Sequence, residues 1–512
     1  VAFAQEDYPV DGTIFGDWLE KETRVRQTFQ FLEGEQETQI EIMIAGKQYP
    51  DIIQARNQTI KLVEAGVLIP LDDLIEKYGP NIKKLYGKYM GRFRHEDGHI
   101  YYLPPFWPYE DRVARTNVHH AVWIQKAVLK EFGYPKIKYF EGFIELLEKY
   151  ARKYPSINGE KTLGFTAMAT GWRKFSLLNA PSVLSGHPND SSANVEYEKG
   201  GWVAKRYYDG EESYKLYKLY NQMYLKGLYD AESFIMDYEK YLEKLKSGRI
   251  LGFYDHRWHI NPAQTYLLEQ DQDRWFVPLP LVMKGYEEEY EGPIEPQTDQ
   301  GIGITIACED PVLIIKYFDF LCREEVMKIR KWGFEGEDYL VNEDGIFYRT
   351  SEQIDKWTDE TWRIKTYGAI YWSQFCGFSD YSVYSDGNSV NPKYNHLIFY
   401  ARLNDSEKEV LNMYGVKTWY EMFKPPDMRR AVYFPLWTAS AAMEQDSPEK
   451  TAEEAVMNLR EKYTPLLISA PAGKYDAVWK EYLAALEKIP NRDSVEEYYQ
   501  EVIDFRVENW TE

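Results

Sequence analysis

Three cysteines in 512 residues, Cys308, Cys322 and Cys376, give no CxxC pair and no even framework, so neither a disulfide scaffold nor a thiolate metal centre is expected. No uninterrupted apolar run approaches the roughly 18 residues needed to span a bilayer. Positive charge is also in deficit: 61 basic against 82 acidic residues leave a net charge of −21. That balance argues against nucleic acid or an anionic membrane surface as partner. The N-terminal residues VAFAQEDYPV carry neither an initiator Met nor a signal segment, which fits a processed chain whose targeting signal lies elsewhere.

Aromatic residues, by contrast, are abundant. The 43 Tyr, 15 Trp and 24 Phe make up 16% of the chain. Tyr and Trp combine an apolar face with a polar edge, a combination suited to amphipathic ligands such as sugar rings. The length exceeds what one core supports, so two or more domains are expected.

His95-Glu96-Asp97-Gly98-His99 matches the HExxH pattern of zinc proteases. That pattern works only on a helix, where positions i and i+4 share a face. Asp97-Gly98 is tight-turn chemistry, and Pro104-Pro105 stops any helix downstream, so a hairpin is expected and no metal is assigned. No other motif suggests catalysis.

Alternating strand and helix signals favour sheets covered by helices. Ile40 to Ile44 alternates like a strand, and residues 49–53 read as a strand entering a loop. Helices are predicted over Thr59–Ala65, Leu71–Tyr78, Trp123–Phe132, Phe140–Tyr154, Tyr214–Lys226, Asp237–Lys246, Val312–Trp332, Thr451–Leu467 and Tyr475–Leu486.

Several segments, in order, resemble the extracellular solute-binding proteins (family 1) of carbohydrate ABC transporters, of the large oligosaccharide-binding lipoprotein type. They are Tyr49-Pro50-Asp51-Ile52-Ile53, Gly66 to Ile75, Asp97 to Pro104, Val122 to Gly133, Gly227 to Glu232, Leu245 to Arg249, and the C-terminal Val478 to Tyr482 with Val495 to Tyr499. The resemblance implies an α/β fold of the two-lobed periplasmic-binding-protein type II, with a ligand cleft between the lobes. It implies an N-lobe from residues 1–113 and 301–355, and a C-lobe from 114–300 with most of 356–512. Val113–Val118 and Gly301–Ala307 would be the crossings. It further implies a monomer that captures an oligosaccharide at the outer face of the membrane, lipid-anchored. The protein would close on the sugar and deliver it to the permease subunits of an importer, without catalysis or cofactor. The family's calcium loop corresponds to residues 156–162, whose few hard oxygen donors and one lysine suit that ion poorly.

Carried onto this chain, the family's cleft residues are Gln5 and Tyr8 at the first strand end, Arg56 and Asn57 after the second, and Trp107, Tyr109 and Glu110 after the hairpin. Trp172 and Arg173 come from the other lobe, with Tyr254, Asp255, Arg257 and Trp258, and further on Tyr371, Trp372 and Trp437. The run Tyr254-Asp255-His256-Arg257-Trp258 joins aromatic faces to a carboxylate and a guanidinium, the mixture that stacks a ring and grips hydroxyls. Its structural alternative is a buried Trp-His-Arg-Asp network. A glycoside hydrolase, which needs a pair of carboxyl groups across the scissile bond, is a second reading of the aromatics and acids. A peptide-binding member of the same transporter superfamily is a third.

Overall fold

The computed structural model describes residues 2–4, 10–32, 36–105, 114–188, 193–293, 298, 300–368, 377–444 and 446–510. The chain forms two compact units. Unit 1 contains residues 1–116, 294–402 and 506–512; unit 2 contains 117–293 and 403–505. Passages between units thus fall at 116/117, 293/294, 402/403 and 505/506, where the sequence reading places them at 113/114, 300/301 and 355/356. Residues 356–402 belong with unit 1 because their apolar side chains are needed there: Tyr367, Phe378, Tyr384, Val390 and Ile398 share one core with Ile52, Phe318 and Trp332.

Unit 1 is built on a five-stranded sheet in the order Gln30–Leu32, Ala2–Ala4, Ile52–Gln54, Ile302–Ile304, Tyr102–Leu103. The first three strands run parallel, and Ile302–Ile304 is antiparallel to both of its neighbours. Residues 40–44, expected to be a strand, lie instead in the helix Gln36–Gly46. Ile40 is buried and Ile42 exposed, so a period-2 pattern of three isoleucines was too short to distinguish strand from helix.

The HExxH segment is a hairpin turn. His95 N–H donates to His99 O at 2.8 Å and Gly98 N–H to His95 O at 2.9 Å. The helix that the zinc motif requires is therefore not formed there. His99 faces Asp72, its Nδ1 3.1 Å from Oδ2.

Unit 2 holds a four-stranded sheet in the order Phe276–Leu279, His120–Gln125, Ile250–His256, Leu163–Phe165. Both His120–Gln125 and Ile250–His256 are buried along their whole length, as expected of strands covered on two faces. This corrects the reading of Trp123 to Phe132 as one helix: the apolar run Val122-Trp123-Ile124 is strand, and the helix starts at Lys126. The predicted helix Val312–Trp332 is likewise two, Pro311–Leu321 and Glu324–Trp332. Phe140–Lys153, Glu211–Leu225, Tyr238–Lys246, Pro448–Ile468 and Tyr475–Leu486 are helices within two to three residues of expectation. Among the described residues, no helix is long and apolar enough to cross a membrane.

Candidate functional site: an aromatic platform on unit 2

The strand Ile250–His256 pairs antiparallel with His120–Gln125, placing His256 opposite His120 and Asp255 opposite Ala121. Gly252 makes this close fit possible. A Cβ there would stand 2.6 Å from the Phe143 ring and 2.7 Å from Trp123 O. At its end the chain turns at His256 and enters the helix Arg257–Gln270. Trp258 thus sits in the first helical turn, beside the end of the strand.

A second segment supplies the facing ring. Gly171 adopts φ +61°, a conformation costly for any residue with a Cβ, and so turns the chain into the short helical turn Trp172–Lys174. The Trp172 and Trp258 rings stack with centroids 5.4 Å apart and planes 14° apart. Phe175 lies nearly parallel to both, at 6.3 Å from each. The platform is open to solvent: Trp172 is 61% and Trp258 46% exposed. Two large exposed rings held face to face, rather than buried, are the informative kind of apolar exposure.

Beneath the platform is a buried polar network. Asp255 is 1% exposed, and protein donors take both of its carboxylate oxygens. Oδ1 accepts from His256 N–H at 2.7 Å and lies 2.6 Å from His259 Nδ1, while Oδ2 accepts from Tyr241 OH at 2.7 Å. Ser176 Oγ lies 3.2 Å from His256 Nδ1 and 3.4 Å from His259 Nδ1. Burial holds His256 well below the usual imidazole range, reinforced by His120, His259 and His119, so its ring is neutral. Burial, with Asp255 beside it, pushes the Tyr241 phenol well above its usual value. Trp258 packs on the His259 ring at 3.8 Å, edge to face. Asp255, His256 and His259 are also the one group among the described residues whose donor atoms lie close enough together to hold a metal ion. Mutual hydrogen bonding already accounts for most of their donor atoms.

Arg173 completes the site. Its guanidinium lies 4.4 Å from the Trp172 ring centroid and 3.8 Å from that of Tyr238, while Tyr238 OH donates to His259 O at 2.6 Å. Burial raises the Tyr238 phenol, and the arginine opposes that shift.

The structure therefore brings together Trp172, Arg173, Asp255 and Trp258 from the sequence-predicted set. Tyr254 is buried with its OH 3.3 Å from His120 Nδ1, and Arg257 begins the helix with its N–H donating to His119 O at 2.8 Å. Trp437 is at the start of the helix Trp437–Ala442, with Phe434 edge-on at 5.4 Å. Arg56 belongs to unit 1; it adopts φ +47°, and its N–H donates to Gln54 Oε1 at 3.0 Å. Asn57 lies in the turn Arg56–Gln58. Gln5, Tyr8, Trp107, Tyr109, Glu110, Tyr371 and Trp372 lie outside the described residues. Phe175, Tyr238, His259 and Ser176 were missed. The i to i+3 spacing of Trp172 with Phe175 and of His256 with His259 was the available signal, and it becomes meaningful only once the two segments are known to meet.

No protein-family model matches the chain. Solved structures do. An HMO-binding, ABC-transporter-associated solute-binding protein from Bifidobacterium longum infantis aligns over 99% of this chain and 98% of its own, with a TM-score of 0.68 and 14% identity. The Streptococcus pneumoniae ABC-transporter substrate-binding protein FusA, in complex with kestose, aligns over 99% of both chains, with a TM-score of 0.63 and 18% identity. The fold is that of ABC-transporter solute-binding proteins. In sequence, the fructooligosaccharide ABC transporter substrate-binding protein FusA of S. pneumoniae serotype 4 is 29% identical over 239 residues. That alignment spans 44% of this chain and 43% of FusA, so the chain matches less than half the length of its curated relative.

Proposed function

We propose that this protein is the solute-binding component of a carbohydrate ABC importer, and that it captures an oligosaccharide without transforming it. The observation that carries the reading is the exposed, near-parallel stack of Trp172 and Trp258 over a buried base in which Asp255 is held by His256, His259 and Tyr241. Flat indole faces offer apolar contact to the C–H face of a pyranose or furanose ring, and the base fixes them without requiring ligand. Rings ordered in advance lose little rotamer entropy on binding. The similarity to FusA supports the substrate class.

In this reading Trp172 and Trp258 stack the sugar, Arg173 contacts its polar edge, and Asp255 positions Trp258 through His259. Arg56, Asn57 and the aromatic residues 107, 109, 371, 372 and 437 are further proposed contacts, together with Gln5, Tyr8, Glu110, Tyr254 and Arg257. Delivery to permease subunits and a location at the outer face of the cell membrane, by a lipid anchor, belong to the same proposal.

Isothermal titration against a panel of oligosaccharides tests it. At least one is expected to bind, and Trp172→Ala is expected to weaken that binding by about 2 kcal/mol, roughly thirtyfold. Absence of heat with every sugar, or an unchanged affinity in the variant, would remove the reading. Release of cleavage products during incubation would favour the hydrolase instead.

A further inference from the structure

Among the described residues, Arg173 is a cation without an anion. Elsewhere in unit 2, Arg430 pairs with Glu289, Arg206 with Asp493 and Glu496, and Arg492 with Asp209, while Arg274 and Arg460 are held by neutral acceptors. Arg173 has only ring faces, those of Trp172 and Tyr238, and its Nε is buried with no hydrogen-bond partner among the described residues. In a chain with 21 more acidic than basic residues, an arginine left without a carboxylate has escaped abundant candidates.

The geometry narrows what completes it. Aromatic rings cover the faces of the guanidinium and leave its edge, where the N–H donors project in a planar fork matched to a carboxylate. A neutral sugar hydroxyl both donates and accepts, so a site for it ordinarily mixes donors with acceptors. Here the carboxylate beneath the platform is unavailable: Asp255 is buried, with both oxygens taken by His256 N–H, His259 and Tyr241. Asp255 therefore offers a ligand no acceptor, and the charged donor that Arg173 presents beside Trp172 is complemented by an acceptor-only group.

We propose that the oligosaccharide is acidic, carrying a uronate-type carboxylate, and that Arg173 is the residue that selects it. This inference rests on the sugar-binding reading above and names the substrate class of the same site. A sugar ring seated on Trp172 would have its carboxylate at the guanidinium edge of the adjacent residue.

Calorimetry with chemically matched pairs separates the possibilities. Trigalacturonate is compared with its methyl ester, an aldotetraouronic acid from glucuronoxylan with xylotetraose, and mannuronate trimer with mannotriose. In at least one pair the acid is expected to bind tenfold or more tightly than its neutral partner. That advantage should shrink as salt is raised, because a charge-assisted contact is screened where a stacking contact is not. In Arg173→Gln the ratio of acid to neutral affinity should fall at least tenfold, and Arg173→Lys should recover only part of it. The wild-type pairs alone decide the matter if either variant folds poorly. Neutral sugars binding as well as or better than their acids would overturn this inference and leave the capture of oligosaccharides standing. If no member of any pair binds while another sugar of the wider panel does, this inference falls and the capture of oligosaccharides stands; if no sugar of the panel binds, both fall.

Discussion

Single residues set what this site can recognise and what pH it tolerates. His187 of unit 2 is partly buried and has been pushed down to about 4, mainly by desolvation and secondarily by the Arg430 charge. Its folded value lies below the unfolded value of about 6.5, so the unfolded chain binds the proton more readily. Stability is then complete above about pH 6.5 and is lost as pH falls from there toward 4, by up to ~1.4 kcal/mol per pH unit for this one group. Urea unfolding of the wild type and of His187→Gln at pH 7 and pH 5 should show the smaller loss in the variant. Asp255 is the other residue with large leverage. Asp255→Asn keeps the shape but removes the charge that holds His259 and Tyr241, and should cost about 2–4 kcal/mol, since hydrogen bonds to a buried charge exceed neutral ones. Equal denaturation midpoints would show that the network contributes little.

At the level of elements, the strand Ile250–His256 does most to define the site, and its tolerance is narrow. Gly252→Ala forces a methyl into the Phe143 ring and the Trp123 carbonyl, which a buried strand paired on both edges accommodates poorly. The expected loss is about 1–3 kcal/mol, measurable as a lowered midpoint in chemical denaturation. This strand also shows how far sequence reasoning carried. The run from Tyr254 to Trp258 stood out in the sequence because its composition is unusual, and two of its residues, Asp255 and Trp258, meet at the platform. That its carboxylate points inward and its tryptophan outward was not, since a strand-to-helix turn breaks the period on which such assignments depend. Long amphipathic helices such as Phe140–Lys153 were legible almost to the residue. Short apolar runs failed in both directions: Ile40 to Ile44 is helix and Val122 to Ile124 is strand, because length, not pattern, separates the two. The pairing of Trp172 with Trp258 joins positions 86 residues apart in number, and no local signal encodes it.

For the whole molecule, the two-unit construction was readable from length and motif order, while the placing of residues 356–402 required the core to be seen. A ligand that binds the folded protein and not the unfolded chain must stabilise it. At one hundred times its dissociation constant, a bound oligosaccharide is expected to add about 2.7 kcal/mol. Thermal unfolding with and without the best sugar from calorimetry checks this: a raised midpoint is expected for the wild type and a smaller rise for Trp172→Ala at the same sugar concentration.

The order of strands in the two sheets has a consequence for how the chain is made. In unit 1, Ile302–Ile304 lies between Ile52–Gln54 and Tyr102–Leu103, so this interior strand is synthesised about two hundred residues or more after both of its neighbours. The strands of the four-stranded sheet of unit 2 are all present once Leu279 has emerged. On the ribosome the later-starting sheet can therefore close first, while the N-terminal strands wait with an unfilled slot between them. Those waiting edges are where premature pairing with another chain would begin, and a holding chaperone would find its substrate there.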